Sequence, residues 1–275
     1  MHFGPVAVLT AGLVAQTMWV APSGASGTAT TTTTTTPPVG PSTTTTVPRG
    51  PATTTTGPAT TTTTRAPVLT ASQELSDCMN AFVAQRAVTW TESFEYFGTK
   101  SVDVTHDGVK DGTFSASSDL GGTVARAGAV LRSNVYLTGN AAGFSQFFSF
   151  TKTGSAAAAG KWVSVPPSSR YFRSLAFRLT MATAVQYLAL GRSPELLAPT
   201  TVRHQAVVAI RETGKVGKVS LDETVYIRAH GTPLPVEVLL SVGGYPATIV
   251  YSNWGVPPKA DAPHRAVPLQ AKWVG

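Results

Sequence analysis

The sequence has a single cysteine and few charged residues, and both shortages limit what the protein can be. Cys78 has no partner for an intramolecular disulfide, and no CxxC motif is present for metal or redox chemistry. A lone cysteine in a helical pattern is expected to be a small buried apolar residue. Charged residues make up 13% of the 275 residues, against about 25% in average soluble proteins. Low charge, with much Val, Thr, Gly and Ala, is typical of an extracellular domain rich in β-structure.

Recognisable catalytic motifs are also missing from the sequence. It contains no HExxH, GxSxG, P-loop or GxGxxG pattern. Asp222 and Glu223 are adjacent, so on a strand their side chains would point to opposite faces and would not act as a pair. We therefore expect no enzyme activity, no catalytic residue, no metal site and no cofactor. A hydrolase whose carboxylates or Ser–His pair are brought together only by the fold remains the alternative.

The net charge of +7 comes from 21 basic residues against 14 acidic ones. The basic residues are scattered and form no nucleic-acid-binding motif, so we expect no nucleic-acid partner. A general attraction to an anionic envelope surface explains the charge equally well. Peripheral contact with a membrane is compatible with that explanation.

The first 26 residues have the pattern of a Sec-type export signal. Residues 6–20 are mainly apolar, and Ser23-Gly24-Ala25 follows as a small-residue cleavage site. This apolar run is shorter than the roughly 20 residues that a membrane span needs. Lys and Arg are absent before the run, which departs from the usual signal. The sequence predicts a secreted or cell-envelope-associated protein, with a signal peptide at residues 1–26.

A Thr/Pro-rich tract separates this segment from the rest of the chain. Residues 28–64 contain 21 Thr and 6 Pro, with no aromatic residue and no carboxylate. Such a composition cannot bury enough apolar surface to fold, and it is typical of extended, O-glycosylated stalks. We predict a disordered linker at residues 27–66 that acts as a spacer, or else a leader without a role. Residues 67–275 then form one folded domain.

Hydrophobic periodicity in residues 67–275 changes from helical to alternating and back. An apolar stripe from Leu75 to Val83 predicts a helix, and Thr70 with Gln73 has capping-box spacing. Alternating strands are predicted from Ser101 onward, including one at residues 129–138. A second helical region is predicted at residues 168–190, followed by further alternating strands. This order predicts an α+β domain with an antiparallel sheet.

The last strands carry the strongest pattern. Val236, Val238, Leu240 and Val242 would share one face of a strand, and Gly243-Gly244 is a two-residue turn signal. Residues 245–254 supply the returning strand. Because a lone hairpin is only marginally stable, it should join a larger sheet. We expect that sheet to curve around an apolar cavity.

Four short landmarks lie in order between residues 69 and 269. They are VYLTGN at 135–140, GKWVSVP at 160–166, GTPLPVE at 231–237, and YSNW at 251–254 with Pro257 and Pro258 after it. In this order and spacing they resemble the actinobacterial lipoproteins of the LppX and LprG type, which share the LolA-like fold. The resemblance implies a strongly curved antiparallel sheet that forms an incomplete, open barrel, with helices covering its concave side.

The resemblance also implies a carrier or sensor that binds a lipid or another hydrophobic small molecule between sheet and helices. The expected ligand-binding residues are Phe82, Tyr171, Phe172, Leu175, Phe177, Leu179, Val238, Leu240, Ile249 and Tyr251. The expected headgroup contacts are Arg170, Arg173 and Arg178, although a solvated helix face would explain these three residues as well.

The chain departs from this family in one respect. It lacks the lipidated Cys that follows the signal peptide in these lipoproteins, and Cys78 follows the Thr tract with Asp77 before it. We therefore expect a variant without a lipid anchor. The alternative hypothesis is a stalked module that uses the same fold as a scaffold to bind an envelope protein partner.

Overall fold

The computed structural model describes residues 69–274, except 97, 121–122, 186–187, 189–192 and 217–218. The predicted signal peptide and Thr/Pro-rich linker lie outside the described residues. Within this part of the chain, no helix is long and apolar enough to cross a membrane.

Five α-helices and thirteen strands are present in the described residues. The helices are α1 (Ala71–Val83), α2 (Ala141–Phe148), α3 (Lys152–Ala158), α4 (Phe172–Phe177) and α5 (Met181–Ala184), with a 3₁₀ turn at Ala271–Trp273. The first six strands are β1 (Ala87–Tyr96), β2 (Thr99–Gly108), β3 (Gly112–Leu120), β4 (Thr123–Leu131), β5 (Val135–Gly139) and β6 (Val163–Val165). The others are β7 (Glu195–Leu196), β8 (Thr200–Val202), β9 (Gln205–Val216), β10 (Val219–Arg228), β11 (Pro235–Val242), β12 (Tyr245–Ser252) and β13 (Val267–Pro268).

All of these strands join one sheet. Its order is β13-β6-β5-β4-β3-β2-β1-β12-β11-β10-β9-β7, with β8 also paired to β9. Neighbours are antiparallel, except that β13 runs parallel to β6. Because β13 and β7 end the order without pairing to each other, the described sheet is open. Strongly twisted open sheets rarely exceed about ten strands without curling, flattening or splitting into two packed sheets. The predicted α+β fold with an open, curved antiparallel sheet is thus confirmed.

The helices cover one face of this sheet, which we call the inner face. Directly opposite residues on antiparallel strands point to the same side. Trp90 on β1 is opposite Tyr251 on β12, and the register from Trp90 across β2, β3 and β4 leads to Leu137 on β5. Trp90 and Tyr251 pack in a cluster with α1, whereas Leu137 packs in a second cluster with α2. Both apolar clusters therefore lie on the inner face.

Helix α1 forms as its sequence predicts. Thr70 and Gln73 make the reciprocal capping box at its start. Leu75, Cys78 and Phe82 of the predicted stripe are buried, whereas Val83 at its end is 70% exposed. Phe82 meets the rings of Tyr251 and Trp254 edge-on, with centroid distances of 5.7 and 5.0 Å. These contacts hold α1 across the half of the sheet that contains β1 and β9 to β12.

The predicted hairpin is confirmed as β11 and β12. Gly243 and Gly244 have φ of +62° and +87°, which a two-residue type I′ turn requires at both central positions. Val242 is opposite Tyr245, so the turn contains only the two glycines. As predicted, the hairpin joins the larger sheet, through β1 on one side and β10 on the other.

The predictions for two segments were wrong, and three other elements were not predicted. The helical region at residues 168–190 is broken, because Thr180 is extended (φ −133°, ψ 156°) and bridges to Gly108. The strand at residues 129–138 is two strands, with a turn in which Arg132 N–H donates to the carbonyl of Asn134 at 2.9 Å. Strand β1 and helices α2 and α3 were not predicted. Asn140 and Thr151 cap these two helices through their side chains.

Candidate functional site

The ten predicted apolar ligand-binding residues are divided between separate apolar clusters. Phe82, Val238, Ile249 and Tyr251 belong to the cluster under α1. Leu240 belongs to a small third cluster with Leu221 and Ala247. The second cluster contains Leu179, with Tyr171, Phe172 and Leu175 packed against it, and Phe177 nearby is half-buried. All ten lie in or beside packed groups of apolar side chains, and their role as ligand contacts stays a prediction.

Residues 172–184, which contain α4 and α5, form a thin cover over the inner face. None of the residues of α4 is buried, although Phe172, Leu175 and Ala176 pack against the second cluster. Neither helix has a side-chain hydrogen bond at its N-cap. The attachment is firmer at the far end, where the Tyr251 hydroxyl donates to the carbonyl of Ala184 at 3.2 Å. The cover is therefore loosely packed along α4.

Small side chains occupy the inner face of β3 and β4. Ala116 is directly opposite Ala127, and Ser118 is opposite Ala125. All four are buried, yet they are outside the described members of the apolar clusters. Alanine and serine fill much less volume than the Leu, Ile and Phe side chains on either side. This part of the inner face is the least filled by the sheet's own side chains.

Polar side chains lie beside this region, on the inner face of the three central strands. We call this group the polar belt: Glu92 on β1, Ser101, Asp103, Thr105 and Asp107 on β2, and Ser118 on β3. Glu92 is directly opposite Asp103, and Trp90 is opposite Thr105. All members are buried except Asp103, which is half-buried. The belt was missing from the sequence-based predictions.

Hydrogen bonds satisfy only part of the polar belt. Trp90 Nε1 donates to Asp107 Oδ2 at 2.8 Å, and the Ser101 hydroxyl donates to Asp103 Oδ1 at 3.2 Å. Glu92 Oε1, Asp107 Oδ1 and the hydroxyls of Thr105 and Ser118 are buried without a hydrogen-bond partner. Most buried polar atoms in native proteins have a partner, so four orphaned atoms on one face need an explanation.

Burial also shifts the acidity of the belt's carboxyls. Burial, reinforced by the neighbouring Asp103, raises the pKa of Glu92 to about 8, and Arg178 partly opposes this. Burial raises the pKa of Asp103 to about 7, against the hydrogen bond from Ser101 and the charge of Arg178. The pKa of Asp107 is likewise raised by burial to about 7, with the hydrogen bond from Trp90 opposing it. Near neutral pH the belt is therefore partly protonated.

The three predicted headgroup arginines do not act as one group. Arg170 lies over the ring of Tyr171, with its guanidinium carbon 4.7 Å from the ring centroid, and it is exposed. Arg173 is also exposed. Arg178 is half-buried, donates from Nη1 to the carbonyl of Phe147 at 3.4 Å, and interacts electrostatically with Glu92 and Asp103. Only Arg178 lies by the polar belt.

Neither a metal site nor the acidic pair considered from the sequence is present in the described residues. No three His, Cys, Asp or Glu side chains there are grouped to hold a metal ion. Asp222 is half-buried and pairs with Arg211, whose Nε lies 3.0 Å from Oδ1. Glu223 is buried on the inner face. The two neighbours therefore point to opposite sides, as expected.

The comparisons with known proteins yield structures and no sequence family. No family model matches the sequence, and no curated protein matches it. LprF from Mycobacterium bovis is similar in structure, with a TM-score of 0.47 and 15% identity over 70% of this chain and 96% of that one. The lipoprotein LppX from Mycobacterium tuberculosis has a TM-score of 0.42 and 10% identity, over 70% of this chain and 98% of its own.

An uncharacterized conserved protein from Thermus thermophilus gives a TM-score of 0.37 at 9% identity. LprF and LppX are proteins of the type that the sequence landmarks resemble. At these identities and TM-scores, no statement about ligand, partner or location follows from the likeness.

Proposed function

We propose that the protein is an exported, non-catalytic carrier or sensor that holds the hydrocarbon part of a lipid or another hydrophobic ligand between the inner face and the cover. The composition of residues 1–26 supports export, and the absence of a cysteine directly after them supports a form without a lipid anchor. The ligand would enter by displacing α4 from the second apolar cluster.

The observation that carries this proposal is the incomplete burial of α4. Its apolar side chains face the second cluster, but each stays partly exposed. A stable surface helix usually buries one stripe completely. The small side chains of Ala116, Ala125 and Ala127 on the inner face of β3 and β4 fill little volume there. An acyl chain at this position would bury apolar surface on both sides, at about 0.8 kcal/mol for each CH₂ group.

Mass spectrometry of organic extracts tests the proposal directly. The full chain is purified and extracted, and we expect a stoichiometric amphiphile in the extract. After removal of that material, a fluorescent fatty-acid analogue should bind at one site. An empty extract together with no saturable binding would refute the carrier function.

Two substitutions locate the binding region. Leu175→Glu places a charge on the apolar face of the cover and should weaken binding about tenfold, because it costs a buried apolar contact. Leu239→Glu is the matched control, since Leu239 is 39% exposed on the outer face of β11. Ala127→Phe should also weaken binding, by filling the thin region from the sheet side. Equal affinities for all three variants and the parent would contradict this location.

The alternative, a protein-interaction module, predicts a coherent apolar patch on the outside. Among the described residues, the exposed large apolar side chains are on separate elements: Val83, Val102, Val109, Val124, Leu196, Val219, Leu239 and Val256. Singly exposed apolar residues are normal on protein surfaces. The carrier hypothesis is therefore the one that the described residues favour.

A further inference from the structure

A purely hydrophobic ligand on the inner face could not form hydrogen bonds with the polar belt. Glu92 and Asp103 are opposite each other on the inner face. Asp103 is in turn opposite Ala116 on β3, and Ala116 is opposite Ala127 on β4. Directly opposite residues have Cβ atoms roughly 5 Å apart, so two carboxyl groups share a small volume. If both were ionised they would repel each other.

Several hydrogen-bond acceptors of the polar belt have no donor from the protein. Glu92 Oε1 and Asp107 Oδ1 are buried and lack a hydrogen-bond partner. Independently of the carboxyls, the hydroxyls of Thr105 and Ser118 are also unpartnered, and these residues are 0% and 2% exposed. All four atoms belong to residues that point to the inner face. Each such atom destabilises the structure by about 1 to 3 kcal/mol unless something bonds to it.

The balance of charges in the polar belt indicates which kind of ligand group would complement it. Three carboxyls of the belt are accompanied by one guanidinium, that of Arg178, which interacts with two of them. The inward positions of the described parts of β1 to β4 carry no Lys or Arg. A metal ion is not favoured, because no described His, Cys, Asp and Glu side chains form a group of three that would hold it. An ammonium group offers three donors and one positive charge.

We propose that the polar belt binds the protonated amine of an amphipathic ligand, whose hydrocarbon part lies under the cover. This inference rests on the proposed carrier function and specifies the ligand class. Glu92 accepts a hydrogen bond from the amine through Oε1, and Thr105, its diagonal neighbour on β2, accepts another through its hydroxyl. Arg178 holds Asp103 and is not itself the ligand contact.

Three amphiphiles with the same twelve-carbon chain test the inference: dodecylamine, dodecanol and dodecanoate. Binding to the full chain, freed of bound lipid, is measured by isothermal titration calorimetry at pH 7.5. We expect dodecylamine to bind at least about tenfold more tightly than dodecanol, as a charged hydrogen bond implies. We expect dodecanoate to bind most weakly. Amine binding should also release protons, seen as a heat that depends on the ionisation enthalpy of the buffer.

The outcomes separate this inference from the carrier function. Equal affinities, or a preference for dodecanoate, overturn the amine assignment and leave the carrier function standing. No binding of any of the three refutes both. A preference for the amine without proton release also overturns the assignment to the belt.

Variants assign the effect to the belt. Glu92→Gln should lower the affinity for dodecylamine about tenfold and leave that for dodecanol unchanged. Glu95→Gln is the matched control, because Glu95 is on the same strand but exposed, 3.9 Å from Lys100. If Glu92→Gln and Glu95→Gln change the amine affinity equally, the belt is not the site.

Discussion

Replacing Glu92 with glutamine should make the protein more stable above neutral pH. Burial and the opposite Asp103 hold the pKa of Glu92 at about 8 in the folded chain, against its ordinary 4.5, while Arg178 opposes the rise. Tyr251 interacts electrostatically with Glu92 and also with Glu223, Cys78 and Asp107. A carboxyl with a raised pKa binds its proton more tightly when folded. Its favourable contribution is therefore complete below pH 4.5 and is lost as the pH rises through about 8.

The size of the effect follows from the two pKa values. A pKa of about 8 in the folded chain against 4.5 in the unfolded one costs the folded state about 3 kcal/mol at pH 7. Glutamine has the same shape and no proton to lose, so Glu92→Gln removes this cost. The new amide must find a partner for its N–H groups, which offsets about 1 kcal/mol of the gain. We expect a net stabilisation of about 2 kcal/mol at pH 7 and none at pH 5.

Urea denaturation, followed by tryptophan fluorescence at several pH values from 5 to 8.5, measures this difference. Stability of the parent chain should fall across this range, with Asp103 and Asp107 contributing near pH 7. The fall should be about 3 kcal/mol smaller in the Glu92→Gln variant. Glu95→Gln, which removes an exposed carboxyl from the same strand, should follow the parent curve. Parallel curves for Glu92→Gln and the parent would refute the reasoning that Glu92 is buried and protonated.

Three further predictions concern other parts of the fold. Cys78 is fully buried and burial raises its pKa to about 12, so iodoacetamide should label it only after denaturation; labelling of the native chain would contradict this burial. Gly143→Ala should cost at least about 2 kcal/mol in denaturation experiments, because the new Cβ would overlap the carbonyl oxygen of Arg126. Gly128→Ala is its control, since the nearest atom there is a side-chain methyl at 3.1 Å. Gly244→Ala should cost about 1 kcal/mol, because φ is +87°, and Gly244→Asn should cost less; equal losses would contradict the type I′ turn.

Elements with strong local signals were predictable from the sequence. The capping box at Thr70 and the apolar stripe that follows it define α1 through contacts within a few residues. The glycine pair at 243–244 defines the β11–β12 hairpin for the same reason, since few other residues adopt its φ angles. In each case one short segment contains the whole signal.

Other elements depend on contacts between distant segments, which the sequence does not display. Residues 168–190 have apolar residues at helical spacing, yet Thr180 pairs with Gly108, 72 positions earlier, and breaks the helix. Strand β1 was not predicted, because Glu92 interrupts the run of inward apolar residues between Trp90 and Phe94. On β2 the rule that the apolar set is buried fails altogether: Val102 is 43% exposed, whereas Asp107 is fully buried. The candidate site could not be predicted for this reason, since it consists of the polar set.

The stability of the polar belt and that of the cover should both depend on the same ligand. A core closed tightly over the central strands would leave Glu92 Oε1, Asp107 Oδ1 and two hydroxyls without partners, at about 1 to 3 kcal/mol for each atom. A ligand that bonds to Glu92 and Thr105 and packs against α4 would remove part of this cost and complete the burial of the helix. Binding should therefore raise the unfolding temperature in a concentration-dependent way. At a ligand concentration of 100 Kd it should add about 2.7 kcal/mol to the free energy of unfolding. Because the belt and the cover contribute separately, Glu92→Gln should reduce this stabilisation for the amine alone, whereas Leu175→Glu should reduce it for every amphiphile.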